Sequence, residues 1–261
     1  MTVVGLGPGD PAWLTPETAA AVAGATDLVG YRPYLDRLPN RPGQHRHASG
    51  NTAERDRAAL ALGLAAKGGR VAVVSSGDPG VFAMASAVLE EAARDGRWRD
   101  VSIEILPGVT AAQAVAARAG APLGHDYCVI SLSDRLKPWE IIADRIGKAA
   151  AADLVLALYN PASRTRTWQV AAVRDLLLRH RPPATPVVVG RGVGRAGEQL
   201  SITTLGELDP AGVDMSTLLI IGSSTTQAFE QHGRAMVFTP RSYPPAAAGP
   251  GPDAAGASDR A

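Results

Sequence analysis

Val71–Ala93 reads VAVVSSGDPGVFAMASAVLEEAA, and this stretch decides the fold class. The β-branched run Val71–Val74 predicts a buried strand. Ser75-Ser76-Gly77-Asp78-Pro79-Gly80 predicts a tight turn. Val81, Phe82, Met84, Ala85, Val88, Leu89 and Ala92 then recur at helical spacing. The pattern is a strand, a glycine turn and a helix packed back on a sheet. In open α/β sheets, ligands bind where such turns leave the carboxyl ends of strands. Asp78 and Pro79 suit the N-cap and first position of the new helix, so the turn is either an ordinary capped junction or a ligand loop.

Working outward, Thr2–Leu6 predicts a first strand, leading into Gly5-Leu6-Gly7-Pro8-Gly9-Asp10-Pro11. These glycines do not follow the dinucleotide spacing G-x-G-x-x-G. Pro8 and Pro11 prevent a helix from starting at once, and Thr15-Pro16-Glu17 is the helix start instead. No lysine–hydroxyl pair follows, so the loop is not a triphosphate cradle. It remains a tight turn that lets a ligand approach the main chain.

Asp27–Tyr31 predicts a strand, 41–50 a polar loop, Thr52–Lys67 a helix and Val101–Leu106 a strand. Pro107–Ala112 turns into a small-residue helix ending near Gly120. The pattern then restarts, with strands over Tyr127–Leu132, Asp153–Leu158, Thr185–Val189, Gln199–Thr204 and Thr217–Ile221. Helices are expected over Pro138–Ala151 and Thr165–His180, with an edge strand over Arg234–Thr239. The expected organisation is two α/β domains, residues 1–120 and 121–240, with a ligand cleft between them, and a disordered Ala/Pro/Gly-rich tail over 241–261.

Composition narrows the function classes. The chain has 261 residues, and its 26 basic residues against 25 acidic ones argue against a nucleic-acid partner. No apolar run approaches the roughly 18 residues of a membrane span. No signal segment is visible, so a cytoplasmic location is expected. The single cysteine, Cys128, leaves no set for an intrachain disulfide or an iron–sulfur cluster. His45 and His47 have no acidic or cysteine neighbour close by and read as loop histidines, so no metal site is expected.

The turns Ser76–Gly80 and Pro107–Ala111 contain no Lys or Arg. That composition suits a ligand with an adenosine and an amino-acid zwitterion, such as S-adenosylmethionine, whose sulfonium prefers oxygen neighbours. Tyr31, Arg32 and Tyr34 at a strand end either line a flat anionic ligand or anchor their loop.

Three motifs together resemble the tetrapyrrole methylase family: Val4–Asp10 (VGLGPGD), Ser76–Phe82 (SGDPGVF) and Pro107–Ala111 (PGVTA). Gly30-Tyr31-x-x-Tyr34, Gly120–Tyr127, Ile130–Asp134, Pro138-Trp139-Glu140 and Leu158–Pro161 are similar to the branch that methylates C17 of precorrin-3B. The resemblance spans about residues 1–240. It implies two α/β domains of the class III methyltransferase kind, a homodimer, and S-adenosylmethionine held in the interdomain cleft. Carried over position by position, it implies that Pro8, Gly77, Asp78, Val81, Phe82, Thr110, Ala111, Tyr159 and Asn160 line the cofactor. Val189, Gly190, Ser216 and Thr217 match later adenosine-side positions.

The implied reaction is methylation of C17 with ring contraction to precorrin-4, in cobalamin biosynthesis. Ring contraction needs a base, for which His125, Asp126 and Asp134 are candidates, each of them equally readable as a capping or loop residue. Tyr31, Arg32, Arg135, Lys137, Arg164 and Arg166 sit on loops suited to a polycarboxylate substrate. The alternatives are the cobalt-factor III counterpart, a methylase of another tetrapyrrole position, and a non-catalytic tetrapyrrole or nucleotide carrier. A nicotinamide reductase is disfavoured by the broken glycine spacing.

Overall fold

The computed structural model describes residues 1–50, 53–163 and 165–243. The expected disordered tail, apart from its first three residues, lies outside them, as does Arg164.

The first sheet is built from β1 (Thr2–Gly5), β2 (Asp27–Tyr31), β3 (His45–Ser49), β4 (Val71–Ser75) and β5 (Glu104–Leu106). All its pairings are parallel, in the order β3-β2-β4-β1-β5. Helices α1 (Pro16–Gly24) and α2 (Arg32–Leu35) cover one face, and α3 (Glu54–Ala66) and α4 (Met84–Arg94) cover the other. Alternate strand residues divide between the faces. Val3, Val29 and Val73 meet α3 and α4, while Val4, Leu28 and Val74 meet the α1 side. The chain leaves β1 toward β2 and leaves β4 toward β5, in opposite directions across the sheet. The crevice between the ends of β1 and β4 is therefore the switch point where an open α/β sheet takes its ligand.

After α5 (Ala111–Ala119) and the two-residue β6 (Gly120–Ala121), a second sheet forms. It uses β7 (Tyr127–Ser131), β8 (Val155–Tyr159), β9 (Pro186–Arg191), β10 (Gln199–Thr204) and β11 (Thr217–Ile221). The order is β10-β9-β11-β8-β7, and only the β7–β8 pair is parallel. Helices α6 (Trp139–Ala151) and α7 (Gln169–Leu177) bury Ile142, Ile146, Val170, Val173 and Leu177 on one face. On the other face, Ala112, Val115 and Ala119 of α5 pack against Val155, Ala157, Val188 and Ile220. Gly190 makes this approach possible, since a Cβ there would lie 2.4 Å from Val115 Cγ2. The hairpin β12 (Gln227–Gln231) and β13 (Arg234–Phe238) adds a third sheet, β13 lying parallel to β6.

Several expectations change. The helix after the central turn begins at Met84, not at Asp78-Pro79. Phe82 has φ +51°, a left-handed conformation that no helix accommodates. The region expected as a polar loop contains β3, whose polar residues are tied down. Arg46 donates to the carbonyls of Leu35 and Leu38 at 2.9 and 2.8 Å, and His47 Nε2 lies 2.8 Å from Asp27 Oδ1. Helix α7 is shorter than Thr165–His180 at both ends. Strand β12 has no counterpart in the sequence reading. Its turn, His232-Gly233, has φ +51° and +71°, the two-residue geometry usually signalled by Asn-Gly.

Candidate functional site

Three loops meet at the switch point. Gly7 and Gly77 exchange backbone hydrogen bonds of 3.1 and 2.9 Å, joining the loop after β1 to the loop after β4. Both need positive φ, +66° and +64°, which glycine adopts without strain. The third loop, after β5, presses against them: a Cβ on Gly108 would lie 2.4 Å from the Gly77 carbonyl and 2.8 Å from that of Gly5. Asp78 fastens the junction. Its Oδ1 accepts the Gly80 N–H at 2.8 Å and its Oδ2 accepts the Gly108 N–H at 3.1 Å. Asp78 is thus a brace across two loops rather than a helix cap.

Arg37 holds the first loop from behind. Its guanidinium donates to the carbonyls of Leu6 at 2.9 Å, Gly7 at 3.2 Å and Gly9 at 3.3 Å, and reaches Ser76 Oγ at 3.4 Å. Sequence reasoning missed this residue. Its only signal is an arginine one turn beyond Tyr34, which cannot be told from a surface charge.

Across the crevice stands the end of β8. The Tyr159 hydroxyl lies 2.5 Å from Thr110 Oγ1 and accepts the Ala112 N–H at 2.8 Å. It therefore ties the N-terminus of α5 to the second sheet. Burial pushes this phenol above its ordinary value, against the lowering effect of the two hydrogen bonds. The Phe82 ring meets Tyr159 edge-on at 5.5 Å, yet half of Phe82 remains exposed. A half-exposed aromatic with φ +51° carries a local cost of about 1–3 kcal/mol, and such strain clusters at functional sites. Asn160 also has positive φ, and its side-chain amide donates to Ser131 Oγ at 2.9 Å.

The antiparallel register carries Val189, Gly190 and Thr217 to the same sheet edge as Tyr159. Ser216 lies one residue before that edge and lines a cavity of about 630 Å3 with Ala162, Ser163, Asp214 and Met215. A second cavity, about 720 Å3, opens between the Gly9–Pro11 loop and the β9–β10 turn.

The candidate bases separate. His125 and Asp126 precede β7. The parallel pairing of Tyr127 with Val155 and Ser131 with Tyr159 puts them at the opposite end of the sheet from the loops. At about 3.3 Å per residue, the strand alone separates them from that edge by roughly 13 Å. His125 stacks instead on Tyr243, at 5.3 Å. Only Asp134 lies beyond the correct strand end. It accepts Gln169 Nε2 at 3.0 Å and faces Arg166 Nε at 3.7 Å. Arg166 is buried, and its Nη1 donates to the carbonyls of Leu132 and Asn160 at 2.9 and 2.6 Å. Its guanidinium supports the Asn160 turn, which leaves no free fork for a substrate carboxylate. Arg32 and Arg135 are exposed, and Lys137 is half-buried. Tyr31 stacks edge-on with Tyr34 at 5.1 Å.

The site fits S-adenosylmethionine by its own chemistry. The turns offer backbone N–H and carbonyl groups, Arg37 behind the first loop and Arg166 behind the Asn160 turn are consumed by carbonyls, and the 630 Å3 cavity suits an adenosine-sized group.

The comparisons agree. The sequence model of the tetrapyrrole (corrin/porphyrin) methylases matches residues 1–209. The cobalamin biosynthesis protein CobIJ of Mycobacterium tuberculosis H37Rv is 60% identical over 94% of this chain and 49% of its own length. The chain thus spans about half the length of that relative. The precorrin-3B C(17)-methyltransferase of Sinorhizobium is 53% identical over 92% of this chain and 96% of its own. The crystal structure of the methyltransferase CobJ superposes with a TM-score of 0.88 at 45% identity, covering 92% of this chain and 98% of that one.

Proposed function

Since the chain belongs to the tetrapyrrole (corrin/porphyrin) methylases, we propose that it is an S-adenosylmethionine-dependent enzyme that methylates C17 of precorrin-3B, with ring contraction to precorrin-4. The observation that carries this reading is the three-loop junction of Gly7, Gly77, Asp78 and Gly108 facing Tyr159. The near full-length match to the Sinorhizobium C17-methyltransferase supports the choice of ring position.

S-adenosylmethionine, when bound, supplies an electrophilic methyl group for in-line displacement by an electron-rich ring carbon. The chain's own contribution is alignment, worth roughly 7–11 kcal/mol where near-attack geometry is held. Gly77, Val81, Thr110 and Ala111 present backbone groups along the cofactor. Phe82 and Tyr159 form an aromatic wall that excludes water. Pro8 borders the reacting end. Asn160, Val189, Gly190, Ser216 and Thr217 serve the adenosine side. Asp134 is the base for ring contraction, poised at the Asn160 turn. Arg32, Arg135 and Lys137 supply charge to the substrate's carboxylates.

The division at residue 120 stays part of this proposal, with the cleft lying ahead of α5. A homodimer in the cytoplasm is the proposed working form. The outer edge of β12, unpaired among the described residues, is consistent with a second copy. No helix among the described residues is long and apolar enough to cross a membrane.

The test is anaerobic incubation of precorrin-3B with S-adenosylmethionine, followed by mass and absorbance. Gain of one methyl with loss of the starting chromophore, needing both components, is the expected result. Cofactor binding without product refutes the C17 assignment on the metal-free substrate and redirects it to the cobalt-bearing form or another ring carbon. No cofactor binding refutes catalysis and leaves a carrier.

A further inference from the structure

The 720 Å3 cavity has a charge arrangement that the reading above does not use. It is lined by Tyr34, Arg37, Arg118 and Arg195, together with Asp10 and Glu198. Both acids are already engaged. Asp10 Oδ1 accepts the Ala12 N–H at 2.8 Å. Glu198 accepts Arg118 Nε at 2.9 Å and the Gly194 N–H at 2.8 Å. Arg37 is consumed by carbonyls. Arg118 lies over the Trp13 ring, 4.7 Å from its centroid.

Arg195 is different. It is exposed, and its one side-chain hydrogen bond among the described residues runs from Nε to the Pro8 carbonyl at 3.1 Å. That bond leaves the Nη1/Nη2 fork free. Its position is also fixed relative to the first glycine loop, because the two backbones touch: a Cβ on Gly9 would lie 2.2 Å from the Gly194 carbonyl. Burial, and then the charge of Arg195, hold the Arg37 guanidinium below its ordinary value. Three arginines thus line the cavity with two acids; Glu198 is paired with Arg118 and Arg37 is held by carbonyls, so the Arg195 fork is the group there that lacks an anionic partner among the described residues.

We propose that this cavity is a carboxylate subsite, in which the Arg195 fork, flanked by Arg118 and backed by Arg37, takes one carboxylate side chain of the macrocycle and fixes which way round it lies. The identity of that macrocycle rests on the function proposed above. The subsite chemistry does not, because a planar fork selects carboxylates as such. A carboxylate also occurs on the methionine end of the cofactor, so the experiment separates the two sources.

Arg195→Gln and Arg195→Lys are compared with the unaltered protein. Arg195→Gln is expected to raise KM for precorrin-3B about 10- to 100-fold, the range for losing a charge-assisted pair, with kcat changed by less than about threefold. Arg195→Lys recovers only part of this, since an ammonium is no fork. Affinity for S-adenosylhomocysteine, by calorimetry, is unchanged. An independent arm needs no turnover: uroporphyrin, a stable polycarboxylate porphyrin, binds the unaltered protein more tightly than Arg195→Gln by fluorescence quenching, whereas its methyl ester binds both alike. Unchanged KM and uroporphyrin affinity overturn the proposal. Full recovery with lysine overturns the fork. Loss of S-adenosylhomocysteine affinity instead assigns the cavity to the cofactor and also overturns it. If precorrin-3B is not turned over at all, the proposed function fails and the uroporphyrin arm alone decides the subsite.

Discussion

Removing the Asp78 carboxylate tests the site at its joint. In Asp78→Ala, two backbone N–H groups lose their acceptor: Gly80, which is exposed, and Gly108, which is partly buried. A hydrogen bond to a charged acceptor contributes about 1.5–3 kcal/mol, the exposed member of the pair less than that. The sum is about 2–3 kcal/mol of folding stability, discounted for water reaching Gly80. Asp78→Asn keeps one oxygen for Gly80 but turns an NH2 toward the Gly108 N–H, so it costs about 1–2 kcal/mol. The assay is urea unfolding at neutral pH, read as a change in midpoint at constant slope. S-adenosylhomocysteine affinity is measured calorimetrically on the same samples. Both variants are expected to weaken it, alanine more, because the Gly77 and Gly108 backbones lose their common tie. An alanine cost under about 0.5 kcal/mol, the size of an ordinary surface change, refutes the bracing argument. An asparagine variant as stable as the unaltered protein refutes the role given to the second oxygen, the acceptor of the Gly108 N–H. Unchanged ligand affinity removes this turn from the site.

Further expectations follow from single contacts. Tyr159→Phe deletes the hydroxyl that meets Thr110 and Ala112, so thermal unfolding should show a loss of about 1–3 kcal/mol while the ring contact with Phe82 remains. Gly190→Ala forces a methyl against Val115 and should cost about 1–3 kcal/mol by overpacking. Combined with Val115→Ala, most of that loss should return in a double-mutant cycle. At Asp27, burial alone would raise the carboxyl, but the hydrogen bonds from His47 and Thr26 and the His47 charge outweigh it and leave the group below 3.8. A depressed folded-state value stabilises above about pH 4 and loses that contribution as the pH falls through it. The urea midpoint should therefore drop on acidification below about pH 4, and His47→Gln should flatten that limb.

How much was legible depended on whether a residue's role is local. Val71–Ser75 and Thr217–Ile221 are buried throughout, and continuous apolar runs of that length announce central strands. Thr15-Pro16 capped α1 as its sequence says, with Thr15 Oγ1 accepting the Thr18 N–H at 3.2 Å. Strand β3 was not legible, because its stability comes from Arg46 and His47 reaching partners distant in sequence. The glycine turns were visible as turns. Their mutual contact was not, since Gly5, Gly77 and Gly108 lie at or just beyond the ends of three different strands. Arg37 and Arg195 escaped notice for the same reason, and Arg166 was misjudged because an arginine on a loop looks identical whether its fork faces solvent or two carbonyls. His125 and Asp126 failed on direction alone: a motif gives a position along a strand, but only the pairing says which end faces the cleft.

The pairing of β13 with β6 bears on how the chain assembles during synthesis. Every strand of the first sheet is complete once residue 106 has emerged, so that half can close its core while the remainder is still being made. Helix α5 has no such freedom. Its apolar face is fully covered only once Val188, Ile220 and Val237 have joined Val155 and Ala157, and Gly120 and Ala121 wait for Val237 and Phe238 to complete their ladder. The Thr239 hydroxyl then donates to the Pro122 carbonyl at 2.7 Å, closing a circuit of more than a hundred residues. In chain order the glycine-loop junction thus precedes the seal around α5: the loops and Tyr159 are present by residue 159, while the contacts of β13 and Thr239 with Gly120–Pro122 come last.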